Sequence, residues 1–343
     1  IVGDCSSAAW GASRRAPASS FNERREPRDE PLTPARFRRL AVGTAFALYV
    51  IVITGSLVRL TGSGLGCESW PGCEEGAFFP AEDYHAFVEF GNRVFGLVPI
   101  VLSILTAWFA RRQARWVFAT AVGVAFLTLV EAPLGLATIR YDLPPEMVIV
   151  HFLLALLALG GAVLVALEAV RDERGAAAIL VPVELRWAGV ALVIACLALV
   201  VTGTFSTAAG PHSGDPDVVE RLWHLDDAVY LHVRVTAVFG AVYLFVLGLL
   251  VARRSMAPRL LRVALTLLGV LVLQMAVGEL QWRLELPWGI VAVHVALAAA
   301  VWVLTVTLVA MLWRPPAWLT PGNLSRWQTP FASTSDQTSS VRS

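Results

Sequence analysis

The chain has 343 residues, of which 57% are hydrophobic and 15% charged, and its formal net charge is +1. Soluble proteins carry about 25% charged residues, so this composition, with a mean hydropathy of +0.66, excludes a water-soluble globule and points to a polytopic membrane protein. The basic residues are Arg throughout and nearly balanced by acids, which leaves no footprint for a nucleic-acid partner, and four Cys are too few for a disulfide scaffold.

Residues 1–37 are rich in Arg, Glu, Ser, Pro and Ala and predict a disordered cytoplasmic tail without the apolar core of a signal peptide. Eight apolar segments follow, near 40–58, 86–109, 116–137, 146–168, 183–204, 228–251, 260–281 and 288–313. Each suits the roughly 20 residues that cross a bilayer as a helix. Arginines flank alternate ends: Arg36, Arg38 and Arg39 before the first segment, Arg111, Arg112 and Arg115 between the second and third. Arg171, Arg174 and Arg186 lie between the fourth and fifth, Arg253, Arg254, Arg259 and Arg262 between the sixth and seventh, and Arg314 after the eighth. The opposite loops carry Glu68, Glu74, Glu75, Glu82 and Asp83, or Asp215, Asp217, Glu220, Asp226 and Asp227. By the positive-inside rule both termini are cytoplasmic, in a cell (plasma) membrane. The predicted fold class is an all-α integral membrane protein.

The chain is internally duplicated. Leu143-Pro144-Pro145-Glu146-Met147-Val148-Ile149-Val150-His151 is echoed by Leu286-Pro287-Trp288-Gly289-Ile290-Val291-Ala292-Val293-His294. Gly135 and Gly278 precede the two motifs at the same offset of 143 residues. Thr54-Gly55 with Gly62, and Thr202-Gly203 with Gly210, repeat likewise. Two four-helix bundles related by a pseudo-twofold axis along the membrane normal are expected. The division is 38–170 for the first half, 171–182 for a cytoplasmic linker, 183–313 for the second half and 314–343 for a cytoplasmic tail.

Imidazoles inside lipid are costly and face a bundle interior. His151 and His294 lie about two turns inside the fourth and eighth helices, and His232 near the start of the sixth. For one such His the ordinary alternative is an interhelical hydrogen bond. A duplicated pair favours axial ligation of haem iron between helices, since structural zinc wants four clustered ligands. His224 reads as interfacial and His212 as a loop hydrogen-bonder. His85, Glu89, Asn92 and Arg93 fall on one face of the second helix. Cys67 and Cys73, in an outer loop, allow a disulfide, a reversible thiol pair or a metal site. Cys196 reads as packing. Arg59 suits a carboxylate such as a haem propionate, or a membrane-surface anchor.

Gly55-Ser56-Leu57-Val58-Arg59-Leu60-Thr61-Gly62-Ser63-Gly64-Leu65-Gly66-Cys67, followed by Trp70-Pro71 and Cys73, resembles the first outer loop of haem A synthases. The two His-bearing repeats and the stretch from Thr202 to Asp215 fit the same family, over roughly residues 38–313. The resemblance implies an oxidoreductase that converts the C8 methyl of haem O to a formyl group, giving haem A for cytochrome oxidase. It further implies a substrate haem in the first half, with His151 as a ligand, and a resident haem b in the second, held by His232 and His294. Glu89 would move protons or stabilise charge. The family's second helix commonly reads Glu-x-x-His-Arg, whereas this chain has Glu89-Phe90-Gly91-Asn92-Arg93. Either His85 supplies the missing ligand or that iron position stays open. A haem O synthase, an electron donor, membrane lipid and a second copy in a homo-oligomer are the partners to consider. The other classes kept in view are a di-haem b-type electron-transfer protein linked to quinone and a transporter.

Overall fold

The computed structural model describes residues 33–80, 82–175, 181–254 and 258–315. Eight α-helices form: α1 (Pro34–Leu60), α2 (Tyr84–Ala110), α3 (Arg115–Arg140), α4 (Pro145–Arg174), α5 (Val183–Ala209), α6 (Leu225–Ala252), α7 (Pro258–Arg283) and α8 (Trp288–Trp313). All eight are long and apolar enough to span a membrane, and the protein is a multi-pass membrane protein. Only an isolated bridge, Glu74 with Ala77, breaks the helical pattern among the described residues. The tail readings for residues 1–32 and 316–343 lie outside the described residues, as does the middle of the 171–182 linker.

The helices run longer than the apolar runs that announced them. α1 begins at Pro34, inside the stretch expected to be a tail, and α4 continues to Arg174. The physical reason is that apolarity marks only the lipid-facing length, whereas backbone hydrogen bonding continues until a breaker intervenes. Proline supplies the starts: Pro34 and Pro145 occupy the first turn of α1 and α4, and Pro182 and Pro287 precede α5 and α8. Asp83 caps α2 by accepting from the Ala86 N–H at 2.8 Å.

Within the first half α1 packs on α2 and α4, and α3 on α2 and α4; within the second, α5 packs on α6 and α8, and α7 on α6 and α8. Every neighbour relation of one half thus recurs in the other. The halves meet where α8 lies against α1 and α4, and α4 against α5. Two hydrogen bonds cross this seam at membrane depth: Tyr49 Oη donates to the Ala296 carbonyl at 3.0 Å, and Trp302 Nε1 to the Leu156 carbonyl at 2.8 Å. Both give a polar tip a buried acceptor that lipid lacks. Gly160 makes room for the indole, because a Cβ there would lie 3.1 Å from Trp302 Nε1.

The arginine-bearing ends converge on one face. Arg38 of α1 pairs with Glu173 of α4, and Glu168 binds both Arg171 and Arg314, each at 2.8 Å. Arg111, Arg186 and Arg314 also lie over Trp108, Trp313 and Trp116. Arginine stacked on tryptophan is the chemistry of a membrane–water boundary.

Candidate functional site

The duplication is reproduced in the backbone at the opposite face. Asp142 and Leu143 take left-handed φ values of 58°, and Glu285 and Leu286 take 61°. Leu143 N–H donates to the Thr138 carbonyl at 2.8 Å, and Leu286 N–H to the Gln281 carbonyl at 2.7 Å. Non-glycine residues adopt positive φ only where their surroundings demand it. Here the demand is to reverse the chain within four residues and launch α4 and α8 from a proline. Two matching corners therefore deliver His151 and His294 to corresponding places.

Each imidazole meets a glycine on the preceding helix. A Cβ at Gly135 would lie 3.6 Å from His151 Cε1, and one at Gly278 would lie 3.1 Å from His294 Cε1. One turn before each glycine is a polar residue: Glu131 Oε2 lies 2.7 Å from His151 Nδ1, and Gln274 Nε2 lies 3.1 Å from His294 Nε2. His294 Nδ1 is buried without a partner.

The other wall comes from α1 and α2, or α5 and α6. Thr202 Oγ1 lies 3.2 Å from His232 Nδ1, and a Cβ at Gly203 would stand 3.1 Å from His232 Cε1. In the first half Thr54 Oγ1 donates to Asn92 Oδ1 at 2.8 Å, and Gly55 faces the same amide. Asn92 thus occupies the place that His232 holds in the second half. Imidazoles seated against glycines of neighbouring helices are a ligand type that can bind a planar macrocycle between helices. Among the described residues no three His, Cys, Asp or Glu converge on a bare ion.

Glu89, one turn before Asn92, is buried; Val229 stands at the matching place in α6. Its carboxylate accepts from the Cys67 N–H at 2.9 Å and pairs with Arg93. Arg93 also donates to the carbonyls of Ser69 and Gly72 at 2.8 and 2.7 Å. Cys67 and Cys73 are joined by a disulfide, so the outer loop is closed on itself and clipped to α2 through Glu89 and Arg93. Gly66 lets the loop lie against α2, since a Cβ there would come 2.5 Å from the His85 carbonyl carbon. Backbone cannot yield as a side-chain tip can. Gly66→Ala is therefore expected to cost about 1–3 kcal/mol by overpacking, read as a lower unfolding temperature in detergent, with Gly123→Ala, in open space on α3, a milder comparison.

Other sequence candidates are dispersed. His85 is exposed and its Nδ1 lies 2.9 Å from Ser63 Oγ, two turns above Asn92. No hydrogen bond or ion pair among the described residues joins it to His151. Arg59 is committed to protein carbonyls: it donates to His212 at 2.8 Å and Thr207 at 3.0 Å. His212 Nε2 in turn donates to the Leu286 carbonyl at 2.8 Å. The Arg59 bonds and that from Gly64 N–H to the Gly214 carbonyl at 2.7 Å sew the outer loops of the two halves together, while the His212 bond ties two loops of the second half. His224 is the exposed residue before α6 and Cys196 is buried.

The sequence pattern of the cytochrome oxidase assembly protein family (COX15-CtaA) matches residues 38–306, which takes in both corners and the whole outer-loop cluster. The chain belongs to this family. It is 33% identical over 147 residues to a Heme A synthase of Symbiobacterium thermophilum, covering 40% of this chain and 46% of that one. A Heme A synthase of Bacillus pumilus is 32% identical over 145 residues, 40% of this chain and 47% of its own. One from Lysinibacillus sphaericus is 29% identical over 170 residues, 48% and 55% respectively. The matched stretch thus spans about half the length of these relatives.

Two residues beside the paired histidines are not picked out by hydropathy and motif: Glu131 and Gln274. The signal is present, because they share the offset of 143 residues and Glu131 is an acid inside an apolar span. Their significance depends on which helix face meets the histidine, and one-dimensional hydropathy does not carry that.

Proposed function

We propose that the protein oxidises the C8 methyl of haem O to a formyl group, yielding haem A for cytochrome oxidase. One observation carries the reading: two matching backbone frames hold different chemistry. The second half offers two imidazoles, His232 and His294, as ligands for a resident haem b. The first half offers His151 with Glu131, Asn92 in place of the second histidine, and the buried Glu89. A pure electron-transfer pair would have no use for that difference. The family assignment and the names of the relatives agree with this reading.

The reading of a haem in the second half draws on the two imidazoles seated against Gly203 and Gly278 and on His294 Nδ1, which is buried without a hydrogen-bond partner. When bound there, a haem b passes single electrons at a potential set by its ligands and burial. His151 would hold the substrate haem. Glu89 is the group able to move a proton at the outer end of that site, and Arg93 fixes its orientation. Asn92 is a poor iron ligand, so the substrate iron keeps one face open. Two hydroxylations of the methyl carbon, each a two-electron oxidation drawing on an external oxidant and one oxygen atom, would give a gem-diol, whose loss of water leaves the aldehyde. We place the loop face outside and both termini in the cytoplasm of a cell membrane, the halves related by an axis along the membrane normal, with a haem O synthase as the class of enzyme that supplies substrate.

The test is the haem content of membranes from a host that makes haem O but no haem A, with and without the protein. Chromatographic separation and mass measurement should show new haem A, sharply reduced in folded Glu89→Gln protein. If only haem O and haem B appear while the purified protein carries redox-active haem and a competent electron donor is present, the reading fails in favour of electron transfer.

A further inference from the structure

The two histidines delivered by the matching corners differ in one respect that the proposed reaction does not by itself require. On α3 an acid faces His151 at Nδ1; on α7, at the equivalent place, an amide faces His294, there at Nε2. The Glu131 Oε2 to His151 Nδ1 distance is 2.7 Å, but the approach lies off the N–H direction, so that Nδ1 and the other carboxylate oxygen are both buried without a hydrogen bond. An acid in this position is expensive at membrane depth unless something offsets it. Here the group at hand is an imidazole, and a small rotation of the ring makes the bond.

We infer that Glu131 is a positioning residue for the first-half haem, holding His151 by Nδ1 so that Nε2 is presented to iron and placing negative charge behind that ligand, whereas Gln274 gives His294 a neutral neighbour. The inference rests on the haem reading above. A ligating histidine whose second nitrogen is held by a carboxylate is fixed in tautomer and orientation and becomes the stronger donor. Negative charge beside the ligand stabilises ferric over ferrous iron. The first-half iron is thus biased to the oxidised state relative to the second-half iron.

The experiment uses the purified full chain in detergent, loaded with haem O, and compares reduction potentials by spectroelectrochemistry. The His232→Ala/His294→Ala variant isolates the first-half signal. Glu131→Gln, which copies the second half, should raise the first-half potential by at least a tenfold change in the reduction equilibrium, ~59 mV for one electron. Its iron–histidine stretching frequency should fall as the ligand weakens. Gln274→Glu should lower the second-half potential in the same way. Folded, haem-bearing Glu131→Gln protein with both readouts unchanged overturns the inference while leaving the functional reading intact. If Glu131→Gln does not fold, Gln274→Glu decides alone, and an unmoved second-half potential overturns it. A wild-type chain that binds no haem in its first half removes both.

Discussion

Glu89→Gln is expected to lower haem A formation by about 10²–10⁴-fold, the usual contribution of a positioned acid or base, while haem content stays near that of the unaltered protein. The substitution is close to isosteric. Its side-chain oxygen can still accept from the Cys67 N–H, and Arg93 keeps its bonds to the Ser69 and Gly72 carbonyls. The loop therefore retains its seat and the Cys67–Cys73 disulfide its surroundings. What disappears is the negative charge opposite Arg93 and the capacity to take up and release a proton. Leaving Arg93 without its counter-charge in a nearly buried place destabilises the fold, so thermal unfolding must be measured alongside conversion. Glu89→Ala removes the acceptor as well and should lose both loop order and activity. Full conversion by Glu89→Gln would confine Glu89 to holding the loop and move the proton chemistry elsewhere.

Asn92→His should turn the first half into a spectroscopic copy of the second. The frame is ready for the ring: Thr54 and Gly55 face Asn92 as Thr202 and Gly203 face His232. With two imidazoles on its iron, the first-half haem O is expected to change to the six-coordinate low-spin state, seen as sharpened visible bands and a low-spin electron paramagnetic resonance signal. Closing the open face should slow conversion at least about tenfold, a loss of ~1.4 kcal/mol in transition-state stabilisation. Asn92→Ala should leave the spin state of the unaltered protein in place. An unaltered protein already low-spin in both halves would show that another residue supplies the second ligand. His85→Ala would then be the discriminating variant, since among the described residues its ring meets Ser63 and Tyr84.

The largest features were legible because lipid is an exacting solvent. Spanning segments must be apolar and helical throughout, so eight helices could be counted from hydropathy and their alternating arginine ends read as sides. The duplication was legible because Pro, Gly and His recur at one spacing, and each has its own geometric role. Proline starts α4 and α8, glycine clears space on the preceding helix, and histidine fills it. The substitution of Asn92 for histidine stood out only against that repeat and the family resemblance.

Tertiary structure decided which polar groups meet. The sequence placed Arg59 at the outer end of α1 but could not show that the Thr207 and His212 carbonyls, from the other half, already accept its protons. It placed Glu89 on a helix face without revealing that the Cys67 N–H and Arg93 bind it to the disulfide loop. Glu131 and Gln274 were merely two polar residues in apolar runs until α3 and α7 packed against α4 and α8. Hydropathy determines that a segment enters the membrane. Rotation about the helix axis is set by close packing with its neighbours, and that rotation decides which side chain faces an imidazole.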